Sequence, residues 1–206
     1  ADGNLIATTG YDNGSLFFDP ALPPFLSSLT EINAGYGYWL KLNSEGAVSH
    51  AGIPLSFEST INLNAGWNLI SYWPQESHAT ANGFAELIET DNLVAATGYN
   101  NGALFFDPTL PPFLNSLQYI NPGFGYWVNL DSTDEVSDIG LVLGLEYTIT
   151  LQEDWNLVGY WPENSQAPVD AFAQLINENN LIGVTGYYNG ALFFDPDLLP
   201  FLNTLS

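Results

Sequence analysis

Apolar and polar residues alternate along several short segments of the chain, and this pattern predicts β-strands. Residues 67–73 and 124–130 alternate over their whole length, and residues 93–99 and 103–106 are rich in β-prone side chains. Side chains two residues apart in a strand face the same side of a sheet. The alternation in 124–130 therefore predicts that Tyr126 and its like-facing neighbours lie in the core.

Turns and a helix complete the predicted elements. The pair Asn101-Gly102 separates two β-prone runs, which predicts a hairpin with a type I′ turn, because that turn needs positive φ at both central residues. Residues 111–114 predict a further turn or one helical turn, packed by Phe113 and Leu117. Spacing typical of one helical face marks two apolar stripes. The stripes are Phe84, Leu87 and Ile88 and, after Pro168, Val169, Phe172 and Ile176.

The whole pattern recurs with an offset of 88 residues, since residues 4–20 return as 92–108 and again as 180–196. Self-similarity at this period indicates one supersecondary unit used in tandem. We therefore predict an α+β fold, predominantly β, built from tandem repeats of about 88 residues. Each repeat is β-α-β-β-β, with an Asn-Gly hairpin and one short amphipathic helix.

Three segments follow from this period. The predicted boundaries are 1–60 for an incomplete first repeat, 61–147 for a complete middle repeat and 148–206 for an incomplete last repeat that lacks the final Gly-Tyr-Trp strand. The connections 43–61 and 131–149 diverge more between copies, and one further strand around Leu55 or Leu143 is left open.

Two repeated segments carry a resemblance. Residues 66–72 are Gly-Trp-Asn-Leu-Ile-Ser-Tyr, and residues 123–128 are Gly-Phe-Gly-Tyr-Trp-Val. Together they resemble the tandem GWNLVSY…GYGYW repeats of large secreted or surface-exposed bacterial proteins. The resemblance implies an extracellular or envelope setting and a role as an accessory or stalk module, and it supplies no catalytic residues.

The charge balance restricts the partners. The formal net charge is −22, and Lys41 is the only basic residue. Nucleic acids and anionic lipid headgroups are bound through cationic side chains, so both partners are excluded. No apolar run approaches the ~20 residues of a membrane span, so no membrane insertion is expected. The chain also lacks Cys and Met and has almost no site for trypsin-like proteases, which fits a long-lived extracellular protein.

The sequence contains no recurring catalytic constellation, so we expect no enzyme activity. His50 and His78 are the only histidines, and the positions one period later hold Asp138 and Gln166. A recurring carboxylate does precede proline at the end of a strand, but Asp-Pro at such a place is typical of a turn former.

One acidic cluster is a candidate calcium site. Asp131, Asp134, Glu135 and Asp138 are predicted to share one loop, and hard cations take several oxygen ligands. The spacing is not that of an EF-hand, and a solvated acidic loop is the alternative. No other cofactor is expected.

Aromatic residues suggest a second kind of site. Most are predicted to face the core, including Trp67, Trp73, Trp155, Trp161, Phe17, Phe105 and Phe193. Trp39 and Trp127 are instead predicted to face outward beside small or polar neighbours. They are the candidate platforms for stacking a polysaccharide, and packing against an adjacent repeat is the alternative.

The incomplete end repeats predict assembly, because an unfinished sheet exposes backbone groups that a strand of another chain can pair with. We expect the last repeat, represented by Leu181, Tyr187, Phe193 and Leu205, to pair head to tail with a neighbouring subunit or with further repeats. The sequence thus favours a non-enzymatic extracellular structural protein that forms a stalk or filament on the cell surface, with an adhesive role left open. A carbohydrate-binding module of a larger secreted protein is the alternative.

Overall fold

The structure is a computed structural model that describes residues 16–56, 58–137, 143–144 and 146–187. Within these residues the fold is predominantly β with few and short helices, which confirms the predicted class at that level. In chain order the strands are β1 (Leu16–Phe18), β2 (Gly37–Leu42), β3 (Gly46–Val48), β4 (Thr60–Leu63), β5 (Gly66–Ser71), β6 (His78–Ala79), β7 (Leu93–Tyr99), β8 (Ala103–Phe106), β9 (Tyr119–Ile120), β10 (Gly125–Leu130), β11 (Asp134–Ser137), β12 (Ile149–Leu151), β13 (Asp154–Gly159) and β14 (Leu181–Gly186).

Each predicted amphipathic stripe forms two short helices in succession. They are α1 (Thr80–Gly83), α2 (Ala85–Glu89), α3 (Pro168–Ala171) and α4 (Ala173–Asn177). Phe84 and Leu87 are buried, as are Phe172 and Leu175. Val169 is 52% exposed, so its predicted place on the buried face is wrong. The helical spacing does not continue through this segment, because the backbone leaves the helical conformation at Phe172, where φ is −117°.

The first four-stranded sheet has the order β5-β10-β7-β8, and its strands are antiparallel. In the central strand β10, Tyr126, Val128 and Leu130 are buried, as the alternation predicted, whereas Trp127 on the other side is partly exposed.

The hairpin between β7 and β8 has a longer turn than predicted. Tyr99 pairs with Ala103, so residues 100–102 form a three-residue loop. Asn101 and Gly102 have the expected positive φ angles, 52° and 151°. The two-residue type I′ turn is nevertheless wrong, because the N–H of Asn100 donates to the carbonyl of Gly102 at 3.0 Å and closes the loop on itself.

The segment after β8 folds back along the outer edge of that strand. The backbone N–H of Phe105 donates to Ser116 Oγ at 2.8 Å, and its carbonyl accepts the N–H of Leu117 at 2.9 Å. Leu117 is buried, as predicted. Phe113 is 81% exposed, so its predicted packing role is wrong. It lies in a 3-10 turn, Pro112–Leu114, and only the residues after that turn return to the core.

The second four-stranded sheet joins strands from distant parts of the chain. Its order is β1-β14-β2-β13, and it is also antiparallel. β2 lies between β13 and β14, and β1 pairs with the other edge of β14. Strands of the same chain thus occupy both edges of β14, and the expected pairing of the last repeat with a neighbouring subunit stays a prediction.

Three two-stranded pairs flank the main sheets: β3 with β12, β4 with β11, and β6 with β9. The further strand that the sequence left open is not formed at Leu55, which lies outside the described strands, and most neighbours of Leu143 lie outside the described residues. The backbone N–H groups of these two leucines donate to the carbonyls of Trp161 and Trp73, at 2.7 and 2.9 Å.

The core lies on one face of each sheet, where the helices and returning loops contribute side chains. One continuous cluster includes Ile70, Val128, Phe84 and Leu87 around the first sheet, and Leu40, Val158, Phe172 and Leu175 around the second. Leu69 and Leu157 alternate with members of this cluster and are equally buried, but they do not belong to it. They lie on the opposite faces of the sheets.

Candidate functional site

The two four-stranded sheets approach each other through faces that bear glycine. A side-chain carbon at Gly37 in β2 would lie 3.0 Å from Leu69 Cδ1, and one at Gly125 in β10 would lie 3.1 Å from Leu157 Cδ1. Glycine within a strand often marks the close approach of another backbone. Each leucine thus fills the space that a glycine of the opposite sheet leaves.

Backbone hydrogen bonds join the sheets at two places. The N–H of Ser71 donates to the carbonyl of Gly35 at 2.9 Å, and the N–H of Gly159 donates to the carbonyl of Gly123 at 2.8 Å. The two donors are 88 residues apart in the sequence, and so are the two acceptors. The contact is therefore made twice, with the roles of the two sheets exchanged.

An aromatic cluster lies at one rim of this contact. The ring of Trp39 in β2 packs edge-on against Tyr99 of the other sheet, with ring centroids 5.0 Å apart, and against Trp155 of its own sheet at 6.3 Å. Lys41 Nζ lies 5.6 Å from the Trp155 ring centroid, a cation–π distance. The chain's single cation is thus placed beside aromatic rings.

A second aromatic cluster repeats the arrangement with the sheets exchanged. Trp127 packs edge-on against Tyr187 at 5.0 Å and against Trp67 at 6.4 Å. Trp39 and Trp127 do face away from the core, and both are only partly exposed. Their contacts with Tyr99 and Tyr187 are those that the packing alternative expects.

The other tryptophans divide into two classes. Trp73 and Trp161 are fully buried, as predicted. Trp67 and Trp155 are partly exposed, and Phe105 is 41% exposed, so their predicted place in the core is wrong. In β5 and β13 both faces are covered along most of the strand, one by the helices and one by the opposite sheet. Alternation alone therefore does not show which face is turned to the core.

The acidic cluster does not form the expected loop. Asp134–Ser137 is strand β11, and adjacent residues of a strand face opposite sides. Asp134 Oδ2 accepts a hydrogen bond from Asn92 Nδ2 at 2.7 Å, so that carboxylate anchors a neighbouring loop. Asp138 lies outside the described residues. Among the residues that the structure describes, Asp131 and its neighbours included, no three His, Cys, Asp or Glu side chains are grouped to hold a metal ion.

Of the residues expected to direct assembly, those that the structure describes make contacts with other parts of the same chain. Leu181 is buried in β14 and pairs with Leu42 of β2, and Tyr187 packs on Trp127. Phe193 and Leu205 lie outside the described residues.

His50 is part of the core. Its ring lies edge-on to Trp161 at 4.5 Å and to Tyr160 at 4.9 Å, and its Nε2 lies 3.3 Å from the carbonyl oxygen of Gly159. Burial lowers the pKa of His50 to about 4, so the ring is neutral and Nε2–H donates to that carbonyl. His78 shares a hydrogen bond with the Tyr72 hydroxyl through Nδ1.

A polar groove of about 480 Å³ lies beside the second sheet. Its wall includes Tyr36, Glu31 and a side-chain hydrogen bond in which Ser165 Oγ donates to Asn33 Oδ1 at 2.8 Å. Among the described residues of this wall, Glu31 is the one carboxylate, so they do not supply a pair of acids for proton transfer.

No protein-family model, curated protein or solved structure matches this chain. Across the described residues, the helices are all too short or too polar to span a bilayer.

Sequence reasoning missed the residues that make this contact. Gly37 and Gly125 are one period apart, and each lies two residues before the tryptophan that was predicted to face outward. A recurring glycine on the face of a predicted strand is the signal that a second sheet approaches there.

Proposed function

We propose that this chain is a non-enzymatic extracellular structural protein whose 88-residue tandem repeats pack in pairs and form the rigid modules of a surface stalk or filament. The observation that supports the proposal is the duplicated contact between the sheets. Ser71 with Gly35 and Gly159 with Gly123 make the same hydrogen bond one period apart. Residues that recur with the repeat thus hold the two four-stranded sheets together.

The buried leucines explain why one repeat would need another. Leu69 and Leu157 are buried, and each packs against a glycine of the opposite sheet. Burying two leucine side chains contributes about 3–6 kcal/mol, a large fraction of the stability of a typical domain. A single repeat would expose this face, so the pair is the unit of stability.

The pair also restricts how an assembly grows. Both sheets use the same surface patch, so the contact is self-complementary and is complete once two sheets have packed together. A stalk then lengthens by continuation of the chain through further pairs. A head-to-tail filament needs a second contact between pairs, with an adhesive role depending on what that outer surface binds.

The setting is inferred from composition. One lysine, no arginine, no cysteine and no methionine among 206 residues leave little for trypsin-like proteases or oxidants to attack. The resemblance of residues 66–72 and 123–128 to repeats of secreted and surface-exposed bacterial proteins supports the same location.

Two measurements on cells that produce the protein test the proposal. Immunogold labelling of intact cells is expected to place the chain outside the cell envelope, and negative-stain microscopy of shed native material is expected to show rods or fibres. Label confined to the cell interior would refute the extracellular location. Dispersed globular particles at high concentration would refute the stalk and the filament.

Carbohydrate binding is the second candidate, because Trp39 and Trp127 keep part of their rings exposed beside other aromatic groups. A pull-down with insoluble polysaccharides tests it, with Trp127→Ala beside the unchanged chain and Val169→Ala as a control at an exposed apolar site. Binding that Trp127→Ala abolishes and Val169→Ala leaves intact would favour this function over packing alone.

A further inference from the structure

The outer edge of β14 and the equivalent edge of β7 in the first sheet pair with strands from different places in the chain. In the first sheet β8 follows β7 directly through the loop 100–102. In the second sheet β1, from the other end of the described chain, takes that place. The registers are the same: Gly98 pairs with Leu104, and Gly186, one period after Gly98, pairs with Leu16.

The sequence contains a second segment that fits this place. Residues 192–194 are Leu-Phe-Phe, identical to residues 16–18 of β1. They also follow β14 at the same separation at which β8 follows β7. A hairpin partner joined by a short loop loses less chain entropy on pairing than a distant segment does.

Hydrogen bonding gives an independent reason to expect a second occupant. In the first sheet, Asn115 Oδ1 accepts the N–H of Asp107 at 3.0 Å, and Asn115 Nδ2 donates to the Asp107 carbonyl at 3.1 Å. Ser27 stands at the equivalent position in the segment that holds β1, and its Oγ is buried without a hydrogen-bond partner. The later copy has Asn203 at this position. Residues 192–205 thus carry the side chain that the site lacks when residues 16–29 occupy it.

We propose that the edge of β14 is a segment-exchange site, at which residues 192–205 of the same chain replace residues 16–29. The exchange releases residues 16–29 as a free arm. Because this arm includes the residues of β1, it can pair as an edge strand with a further repeat. The exchange therefore decides whether the chain closes on itself or offers a strand to a neighbour. The proposal rests on the equivalence of the 88-residue repeats that the proposed function uses.

Cysteine pairs report which segment is bound, because the chain has no cysteine of its own. The N–H and carbonyl of Phe105 face Ser116 and Leu117, so Phe105 and its partner Thr97 form a non-hydrogen-bonded pair. Such pairs have Cα atoms about 4.5 Å apart, within disulfide range. Thr185 and Phe17 form the equivalent pair in the second sheet.

The experiment uses the full chain with Thr185→Cys, Phe17→Cys and Phe193→Cys together, oxidised mildly and mapped by mass spectrometry. The two positions that can link to position 185 carry the same substitution, so they compete on equal terms. The control variant, Thr97→Cys with Phe105→Cys, establishes complete oxidation of a known hairpin. A disulfide between positions 185 and 193 in a substantial fraction of the molecules is expected, and a disulfide between positions 185 and 17 alone would overturn the exchange.

A second variant separates the hydrogen-bond argument from hairpin proximity. Ser27→Asn, added to the three cysteine substitutions, is expected to shift the linkage ratio towards position 17 by about two- to tenfold, the effect of one net hydrogen bond. An unchanged ratio would overturn the role assigned to Asn203. Either negative result leaves the immunogold and microscopy tests of the proposed function unaffected, so the two failures are distinguishable.

Discussion

Adding one methyl group at Gly159 is expected to weaken the contact between the two sheets. Gly159 faces Ser71, and the two positions are equivalent in the two copies. A side-chain carbon at Gly159 would overlap Ser71 Oγ and would lie 2.8 Å from Ser71 Cβ and 3.0 Å from the Phe124 carbonyl oxygen. The space between the sheets at this pair of positions holds the side chain of Ser71 and leaves none for a side chain at Gly159.

The size of the effect follows from these distances. Overpacking of a well-filled interior costs about 1–3 kcal/mol. Replacing Gly by Ala also reduces the entropy of the unfolded chain, which offsets about 0.4–1 kcal/mol. The expected net loss for Gly159→Ala is therefore about 1–2 kcal/mol. In a chain of this length that loss lowers the Tm by about 2–8 °C.

The assay is a double-mutant cycle in urea and thermal unfolding. Ser71→Gly removes both the overlapped atoms and a buried hydroxyl that has no hydrogen-bond partner. The double variant, Gly159→Ala with Ser71→Gly, is expected to recover most of the loss, with a coupling energy of about 1 kcal/mol. A Gly159→Ala chain as stable as the unchanged protein, or losses that simply add, would show that the sheets do not meet here.

Three other substitutions or conditions have defined outcomes. Trp73→Ala is expected to cost about 3–5 kcal/mol in urea unfolding, and Trp67→Ala less, because only the first ring is fully buried; equal losses would contradict this difference. Burial holds the pKa of His50 at about 4, so below pH 6.5 the unfolded chain binds a proton that the folded chain does not. Stability should therefore fall by about 2 kcal/mol between pH 7 and pH 5, and His50→Gln should flatten that dependence; an unaltered pH profile would refute it. Gly66 has φ +85° with open space around its Cβ position, and Asp154 holds φ 70° at the equivalent place, so Gly66→Asp should change the Tm little, whereas Gly66→Val should lower it by several degrees.

Local elements could be predicted because their causes are local. The alternation in β10, the buried Phe84 and Leu87, and the positive φ angles of Asn101 and Gly102 follow from side-chain periodicity and from turn chemistry. The loop length could not be predicted in the same way. A three-residue and a two-residue connection both satisfy an Asn-Gly pair, and the register of the flanking strands decides between them.

The pairing of strands could not be predicted from repeated sequence. β2 and β10 have nearly the same residues, so nothing in β2 itself specifies a partner within its own copy or in another. A related ambiguity affected Trp67, since β5 is buried on both sides along most of its length and alternation alone does not show which side faces the core. The candidate site depends on both of these choices, which is why only Trp39 and Trp127 were identified in advance.

The position of Lys41 makes trypsin cleavage of a single peptide bond a measure of how much of the time the folded protein is open. Trypsin cuts after lysine or arginine, and the only such residue lies in β2, 8% exposed and paired on both sides. A protease needs an unpaired stretch of chain, so β2 must first leave β13 and β14. When opening and closing are fast, the rate of scission follows the population of that opened state. In a medium rich in trypsin-like enzymes, the survival of the molecule would then be set by the fraction of time that one central strand spends open, and the rate of cutting would measure that fraction.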